Sequence, residues 1–263
     1  MEPKTIEVNP KDPAVAAGAA LLYSGGSDSS LAACLLAQSF PKVYLNTFTR
    51  FGFMATGFAS IHYERMVARF PNTEFIHDVI PSGKLYEEVE KHDFFSSLRE
   101  YGFMAFASCG HCKVSLHWRN LLFCLQHGVK FAADGAVVDA EEFAEQNPRI
   151  LMPELKSFYR HFGVELVHPV YQEGLSTEEA LYDLGITEQA RIKRTNKDMQ
   201  VICSQQIGFA MFMRTYLQWN SFEEYEKTYR TYLKAKLDHI KKLTEDYLAN
   251  PEGDTVVARL LDE

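Results

Sequence analysis

The sequence predicts an α/β fold: a doubly wound, mostly parallel, five-stranded sheet with a helical C-terminal extension. Three observations carry the prediction. Short β-type apolar runs alternate with segments of helical period. Glycines stand where helices should end, just before the next strand. The stretch SGGSDSS (residues 24–30) lies between the first apolar run and the first helical pattern. Alternation of this kind implies βαβ units.

In chain order the expected strands are AALLYS, KVYLNTFT, TEFIHDVI, VKFAADGAV and VELVHPV. Between them LAACLLAQ, FASIHYERMVARF, KLYEEVEKHDFF, SLHWRNLLFCLQHG and MPELKSFYRHFG have helix-like spacing. Gly128 and Gly163 mark helix ends. GLSTEEALYDLGI reads as a helix with Thr177 as N-cap and Gly185 as its stop. Two long helical stretches follow, from about Met199 to Trp219 and from Phe222 to Leu248. The last mixes charges with Tyr and Leu. It is expected to cover one face of the domain or to make a homodimer contact. The expected division is an α/β domain over 1–185 and a helical region over 186–263 packed on it.

Composition bounds the function. The chain has 263 residues, 46% of them hydrophobic, enough for one large α/β domain and a proper core. No apolar run reaches the roughly 20 residues a membrane helix needs. The N-terminus MEPKTIEVNPKDPAVAAG has no basic region followed by an apolar stretch, so a cytoplasmic protein is expected. The net charge of −8 gives nucleic-acid binding no bulk support. The densest basic cluster, with Arg191, Lys193, Arg194 and Lys197, is either a solvated loop or a contact for phosphate. Five cysteines, an odd number, argue against a disulfide framework and for metal, cluster or redox use of some of them.

SGGSDSS should sit beyond the carboxyl end of the first strand, where open parallel sheets bind ligands. Gly25 and Gly26 let an anion approach the backbone, and the following helix presents free N–H groups. Ser24, Ser27, Ser29 and Ser30 add hydroxyls, while Asp28 has the alternative of simply capping the helix. Such a loop holds phosphate. It is neither GxxxxGK[ST] nor GxGxxG. The order strand, SGGxDS, helix resembles the signature of the PP-loop ATP pyrophosphatases, with Ser24, Gly25, Gly26, Asp28 and Ser29 matching position by position. The likeness of architecture runs from about Ala19 to Gly185, and HPVYQEGLSTEEALYDLGI also resembles a family element.

That resemblance implies ATP on this loop, release of pyrophosphate, and activation of a carbonyl or carboxylate oxygen as an adenylate. Relatives carry GHxxDD after the fourth strand; here the stretch is DGAVVDAEE, in which Gly135 and Asp139 match while Ala136 and Ala140 replace His and Asp. Asp139 is the carboxylate expected to hold Mg2+, with Asp134 as its competitor. By the family's fold, Thr47 and Phe48 border the adenine or are ordinary core. Arg50, Lys193 and Arg194 are candidates to neutralise phosphate.

CGHC sets Cys109 and Cys112 at CxxC spacing in front of a helix, and Cys203 follows much later. Three thiolates suit a 4Fe-4S cluster with one open iron. With His117 added they suit structural Zn2+, and the CxxC alone suits a redox pair. Cys34 and Cys124 read as buried hydrophobes. The order SGGxDS, CxxC, lone distal Cys resembles the tRNA thiolation enzymes of the two-thiocytidine and two-thiothymidine types. That likeness implies cluster ligation by Cys109, Cys112 and Cys203, a sulfur donor, and either tRNA or a small molecule as acceptor. The catalytic residues expected are Asp28, Asp139 and Cys203. The alternatives are ATP-dependent amidation or nitrile formation with zinc on the cysteines, as in cyano-deazaguanine synthase, and an ATP-binding protein without turnover.

Overall fold

The computed structural model describes residues 3–4, 6–9, 12–54, 62–138, 147–188, 202–203 and 206–262. Its strands in chain order are β1 (Ala19–Leu22), β2 (Lys42–Thr49), β3 (Phe53–Met54), β4 (Glu74–Pro81), β5 (Phe131–Ala133), β6 (Glu165–Val167) and β7 (Ile202–Cys203). Among the described residues, five of them form an all-parallel sheet in the order β4-β2-β1-β5-β6, and β3 pairs antiparallel with β7. The fold class expected from the sequence is the one observed.

The helices are α1 (Pro13–Ala16), α2 (Ser27–Ala37), α3 (Tyr63–Arg69), α4 (Gly83–Lys91), α5 (Phe94–Tyr101), α6 (Ser108–His127), α7 (Met152–His161), α8 (Thr177–Asp183), α9 (Gln206–Tyr216), α10 (Phe222–Ala249) and α11 (Val256–Leu261). A 3-10 turn, Gly102–Phe106, links α5 to α6.

Alternation along the strands decides the layers. Ala19 and Leu21 face one core with Leu31, Leu35, Val43, Leu45, Met66 and Leu181. Ala20 and Ala132 face the other, with Leu85, Trp118, Leu121, Leu155 and Leu166. Successive side chains on a strand point to opposite sides, so both faces of a parallel sheet must be covered. The connections before the sheet reverses put α2 and α3 on the first face; the later ones put α4, α6 and α7 on the second. This is double winding. The C-terminal helix α10 joins the second core through Tyr225, Tyr229, Tyr232, Leu233, Leu237 and Ile240.

Several boundaries differ from expectation. The expected helix KLYEEVEKHDFF breaks in two at Asp93, whose φ of +52° ends the α-helical run. Ser27–Ser30 form the first turn of α2 and are not a loop. CGHC lies inside the start of α6, not in front of it. Ser176 caps α8, its side chain accepting from the Glu179 N–H at 3.3 Å, so Thr177 is the first helical residue and not the cap. Cys203 sits in the β3–β7 ribbon where a helix was expected.

Candidate active site

The strands' carboxyl ends gather the chemistry-bearing residues. Sheet order reverses between β1 and β5, and the Gly–Ser stretch leaves β1 at that point. Gly25 has φ +80°, a conformation a side chain rarely adopts. Gly26 is the N-cap and has no side chain to satisfy the first turn. The first helical bond is Ser30 N–H to Gly26 O at 2.9 Å, so the N–H groups of Ser27, Asp28 and Ser29 stand before it at the positive end of α2. Ser24 and Ser29 brace the turn. Their hydroxyls are 3.2 Å apart, and Ser29 Oγ donates to Gly26 O at 3.2 Å. Ser30 is fully buried, 3.0 Å from His62 Nδ1.

Asp28 does not cap α2. Its Oδ1 accepts from the Thr177 hydroxyl at 2.7 Å, tying the loop to α8. Burial pushes the Asp28 carboxyl up, Thr177 pulls it partly back, and nearby Glu178 adds to the rise. Thr177 thus joins the candidate site, a contact that its expected capping role concealed.

Beyond β5 the chain folds onto this turn. A Cβ on Gly135 would stand 2.9 Å from Ser29 N and 3.2 Å from the Asp28 carbonyl carbon, so only glycine fits against the helix start. Asp134 beside it is buried. Its Oδ1 lies 2.6 Å from His168 Nδ1, and its Oδ2 lies 3.6 Å from His117 Nε2. Burial alone would raise this carboxyl, but the two imidazoles outweigh it and hold it down at about 2. Burial pushes His117 down to about 4, against the pull of Asp134. The His168 side chain is 3% exposed, and among the described residues no hydrogen-bond partner reaches its Nε2. Sequence reasoning offered His117 only as a zinc ligand and gave His168 no role. The available signal was HPV at the end of an expected strand, at the ligand edge.

Cys112 and Cys203 meet at Arg50, just past β2. Its Nε donates to Cys112 Sγ at 3.2 Å and an Nη to Cys203 Sγ at 3.8 Å. The guanidinium carbon lies 4.1 Å from the Tyr86 ring centre and 4.6 Å from that of Phe53. The β3–β7 pairing sets Phe53 opposite Cys203, and that register brings the distant cysteine home. Cys109 and Cys112 share a helix face by their i, i+3 spacing on α6. Burial pushes the Cys112 thiol up, and Arg50 opposes this. Arg50, expected as a phosphate ligand, is therefore seated on the thiols. No disulfide joins the five cysteines.

The donor set discriminates between metals. Four thiolates around zinc would lie about 3.8 Å apart, from Zn–S bonds of about 2.3 Å. The three sulfurs of Cys109, Cys112 and Cys203 do not all lie within 4.8 Å of one another. His117, the fourth ligand a zinc site would use, has its ring nitrogens on Tyr159 at 3.3 Å and near Asp134. Cys112 and Cys203 share the Arg50 guanidinium, and Cys109 stands three residues before Cys112 on α6.

Other expected residues fall as follows. The Thr47 hydroxyl donates to Tyr23 O at 2.8 Å and therefore accepts from His77 Nε2 at 2.9 Å. Phe48 is buried in the second core. Cys34 and Cys124 are buried, and burial pushes both thiols up to about 12, as inert thiols should be. Asp139 and Ala140, like Arg191, Lys193, Arg194 and Lys197, lie outside the described residues.

No family model and no curated protein matches the sequence. Among solved structures, the chain is similar to a protein of Methanocaldococcus jannaschii described as a predicted subunit of tRNA methyltransferase. Identity is 19%, with 76% of this chain and 88% of that one covered and a TM-score of 0.41. It is also similar to NMN synthetase from Francisella tularensis, at 12% identity, with 90% of this chain and 98% of that one covered and a TM-score of 0.42.

Proposed function

We propose that this chain is an ATP-dependent, pyrophosphate-forming enzyme of the PP-loop type. In this reading it adenylates a carbonyl or carboxylate oxygen and replaces it with sulfur, through a centre held by Cys109, Cys112 and Cys203. The observation that carries the reading is that the glycine turn of α2, the Asp134–His168 pair and the Arg50-linked cysteines all belong to the carboxyl-end side of the parallel sheet.

The phosphates of ATP lie on the first turn of α2, against the N–H groups of Ser27–Ser29 and the hydroxyls of Ser24 and Ser29. Asp28 and a second carboxylate, Asp134 or Asp139, hold the nucleotide's Mg2+. Gly135 keeps the β5 end close to the turn. The acceptor oxygen bonds to the α-phosphorus and pyrophosphate leaves. A sulfide-level nucleophile then forms the C–S bond, and AMP departs with the original oxygen. No net electron transfer is needed. When bound, a 4Fe-4S cluster supplies an open iron able to carry sulfide. Arg50 fixes Cys112 and Cys203 and offsets the negative charge of the thiolates. The acceptor is a tRNA base or a small molecule, and the reducing cytoplasm suits such thiols.

Anaerobic purification with iron, sulfide and zinc analysis, alongside C203A, tests the sulfur half. The expected result is a brown protein with about four irons, lost in the variant. A colourless protein holding one zinc would overturn that half. Pyrophosphate release from ATP tests the other half on its own. Tight ATP binding without release would reduce the chain to a nucleotide-binding protein.

A further inference from the structure

The glycine turn of α2 is gripped from two sides, and the two grips act on different parts of Asp28. From the β5 end, Gly135 presses on backbone: a Cβ there would stand 2.9 Å from Ser29 N and 3.2 Å from the Asp28 carbonyl carbon. That contact sets where the Asp28 main chain sits. It leaves the carboxylate free to turn about χ1 and χ2. From α8, the Thr177 hydroxyl donates to Asp28 Oδ1 at 2.7 Å. Among the described residues no hydrogen bond reaches Oδ2.

Thr177 is well held for such a task. Its branched Cβ narrows χ1, and the residue is buried. The helix it begins is anchored in the first core, where Ala180 and Leu181 join Leu31 and Leu35 of α2. Past the end of α8, Arg65 Nη1 donates to the Ile186 carbonyl at 2.8 Å and Arg69 Nε to that of Leu184 at 3.2 Å. A side chain on a rigid element places its partner more closely than one on a loop.

The cap of α8 is a different residue. Ser176 accepts from the Glu179 N–H at 3.3 Å. Thr177 is thus spared the usual duty of a hydroxyl at a helix start, and its donor goes instead to a carboxylate 149 residues away in sequence. A carboxylate with one oxygen engaged by a fixed hydroxyl keeps the other for a hard cation, and Mg2+ in particular demands well-placed oxygens. An untethered aspartate would sample several rotamers and lose that freedom at each binding event.

We propose that Thr177 is a positioning residue for the nucleotide's metal: it holds Asp28 by Oδ1 and so reserves Oδ2 for the Mg2+ of bound ATP. The inference rests on the reading of the α2 turn as an ATP site. It goes beyond that reading by making the metal affinity of the turn depend on α8.

The test is calorimetric titration of the full-length protein with α,β-methylene ATP, an analogue that cannot release pyrophosphate, once with Mg2+ and once with EDTA in its place. Wild type should bind the magnesium complex more tightly than the metal-free analogue. T177V keeps the shape and removes the donor. It should weaken binding of the magnesium complex about 10- to 100-fold, the scale of a hydrogen bond to a charged group, and leave metal-free binding as in wild type. T177S keeps the hydroxyl and should restore most of the loss. Added to D28N, T177V should bring no further loss, because it acts through that carboxylate. S176A removes the cap of α8 without touching Asp28, so it should lower the melting temperature and leave the magnesium dependence intact. Equal binding by T177V and wild type, or equal affinity of wild type for the two forms of the analogue, would overturn the proposal and leave the ATP site standing. So would a loss shared by S176A or one that appears equally without Mg2+, since either is the mark of a loosened helix. A wild-type protein that binds neither form would remove the ATP reading itself, and this inference with it.

Discussion

Arg50 concentrates the chemistry of single residues here. One guanidinium touches two sulfurs 91 positions apart in sequence (203 − 112) and packs on two aromatic rings. Lys cannot reproduce a fork of donors or a planar stack. Under the proposed cluster ligation, R50K should therefore retain clearly less iron per chain than wild type, and R50Q less still, in anaerobically prepared protein. An R50K protein with full iron would mean that charge alone suffices. Gly135 makes the parallel case at the glycine turn before α2. Its missing Cβ would meet backbone, not a movable side chain. G135A should cost about 1–3 kcal/mol of stability, the range for overpacking, and should weaken ATP binding by displacing the start of α2. Calorimetry and nucleotide titration check the two effects separately. Neither role is legible in one sequence. SGGxDS marks the loop, but nothing local says that Arg50 turns to thiols or that residue 135 leans on residue 29.

Helices α6 and α10 show what an element contributes. Tyr229 and Tyr232 of α10 pack near the start of α6, and Trp118 Nε1 donates to Thr244 Oγ1 at 2.9 Å farther along. Both partners are fully buried. T244V keeps the shape and removes the acceptor, leaving a buried indole N–H unsatisfied. A loss of about 1–3 kcal/mol is expected. At about 2–4 °C per kcal/mol for a chain near this size, that appears as a lower melting temperature. A melting curve equal to wild type would deny the bond a structural role. The helical character of 222–248 was legible from its period. The face it buries was not, because Tyr and Leu occur on more than one side of it. The same holds for CGHC: its spacing is visible, yet only the helix beginning at Ser108 sets the two thiols on one face.

For the whole molecule, buried histidines tie stability to pH. Burial holds His117 at about 4 and His111 at about 3 in the folded chain, against the ordinary 6.5. Between those values and 6.5 the unfolded chain binds protons that the fold refuses, so stability rises with pH across that window and falls as acid is added. Asp134, held at about 2 against 3.8, contributes stability that is present above 3.8 and is lost only below it. The melting temperature should therefore be level above pH 7 and drop by several degrees or more from pH 6.5 to 4, before the carboxylate window opens. H111N should flatten part of that slope. A melting temperature independent of pH over 4–7 would contradict neutral buried imidazoles.

The sequence by itself determined the alternation of strands and helices, the parallel sheet, and the glycine turn at its ligand edge. These are local properties: apolar period, glycine conformational freedom, and the free N–H groups of a helix start. Tertiary structure alone decided which distant groups meet. It brought Cys203 to Arg50, which also meets Cys112, through the register of a two-residue ribbon, set His168 on Asp134 across adjacent strands, and placed His239 against Glu88 and His92. Those meetings depend on how faces pack and registers lock over separations of 34 to 153 residues (His168 from Asp134, Cys203 from Arg50). Local pattern carries no signal at that range.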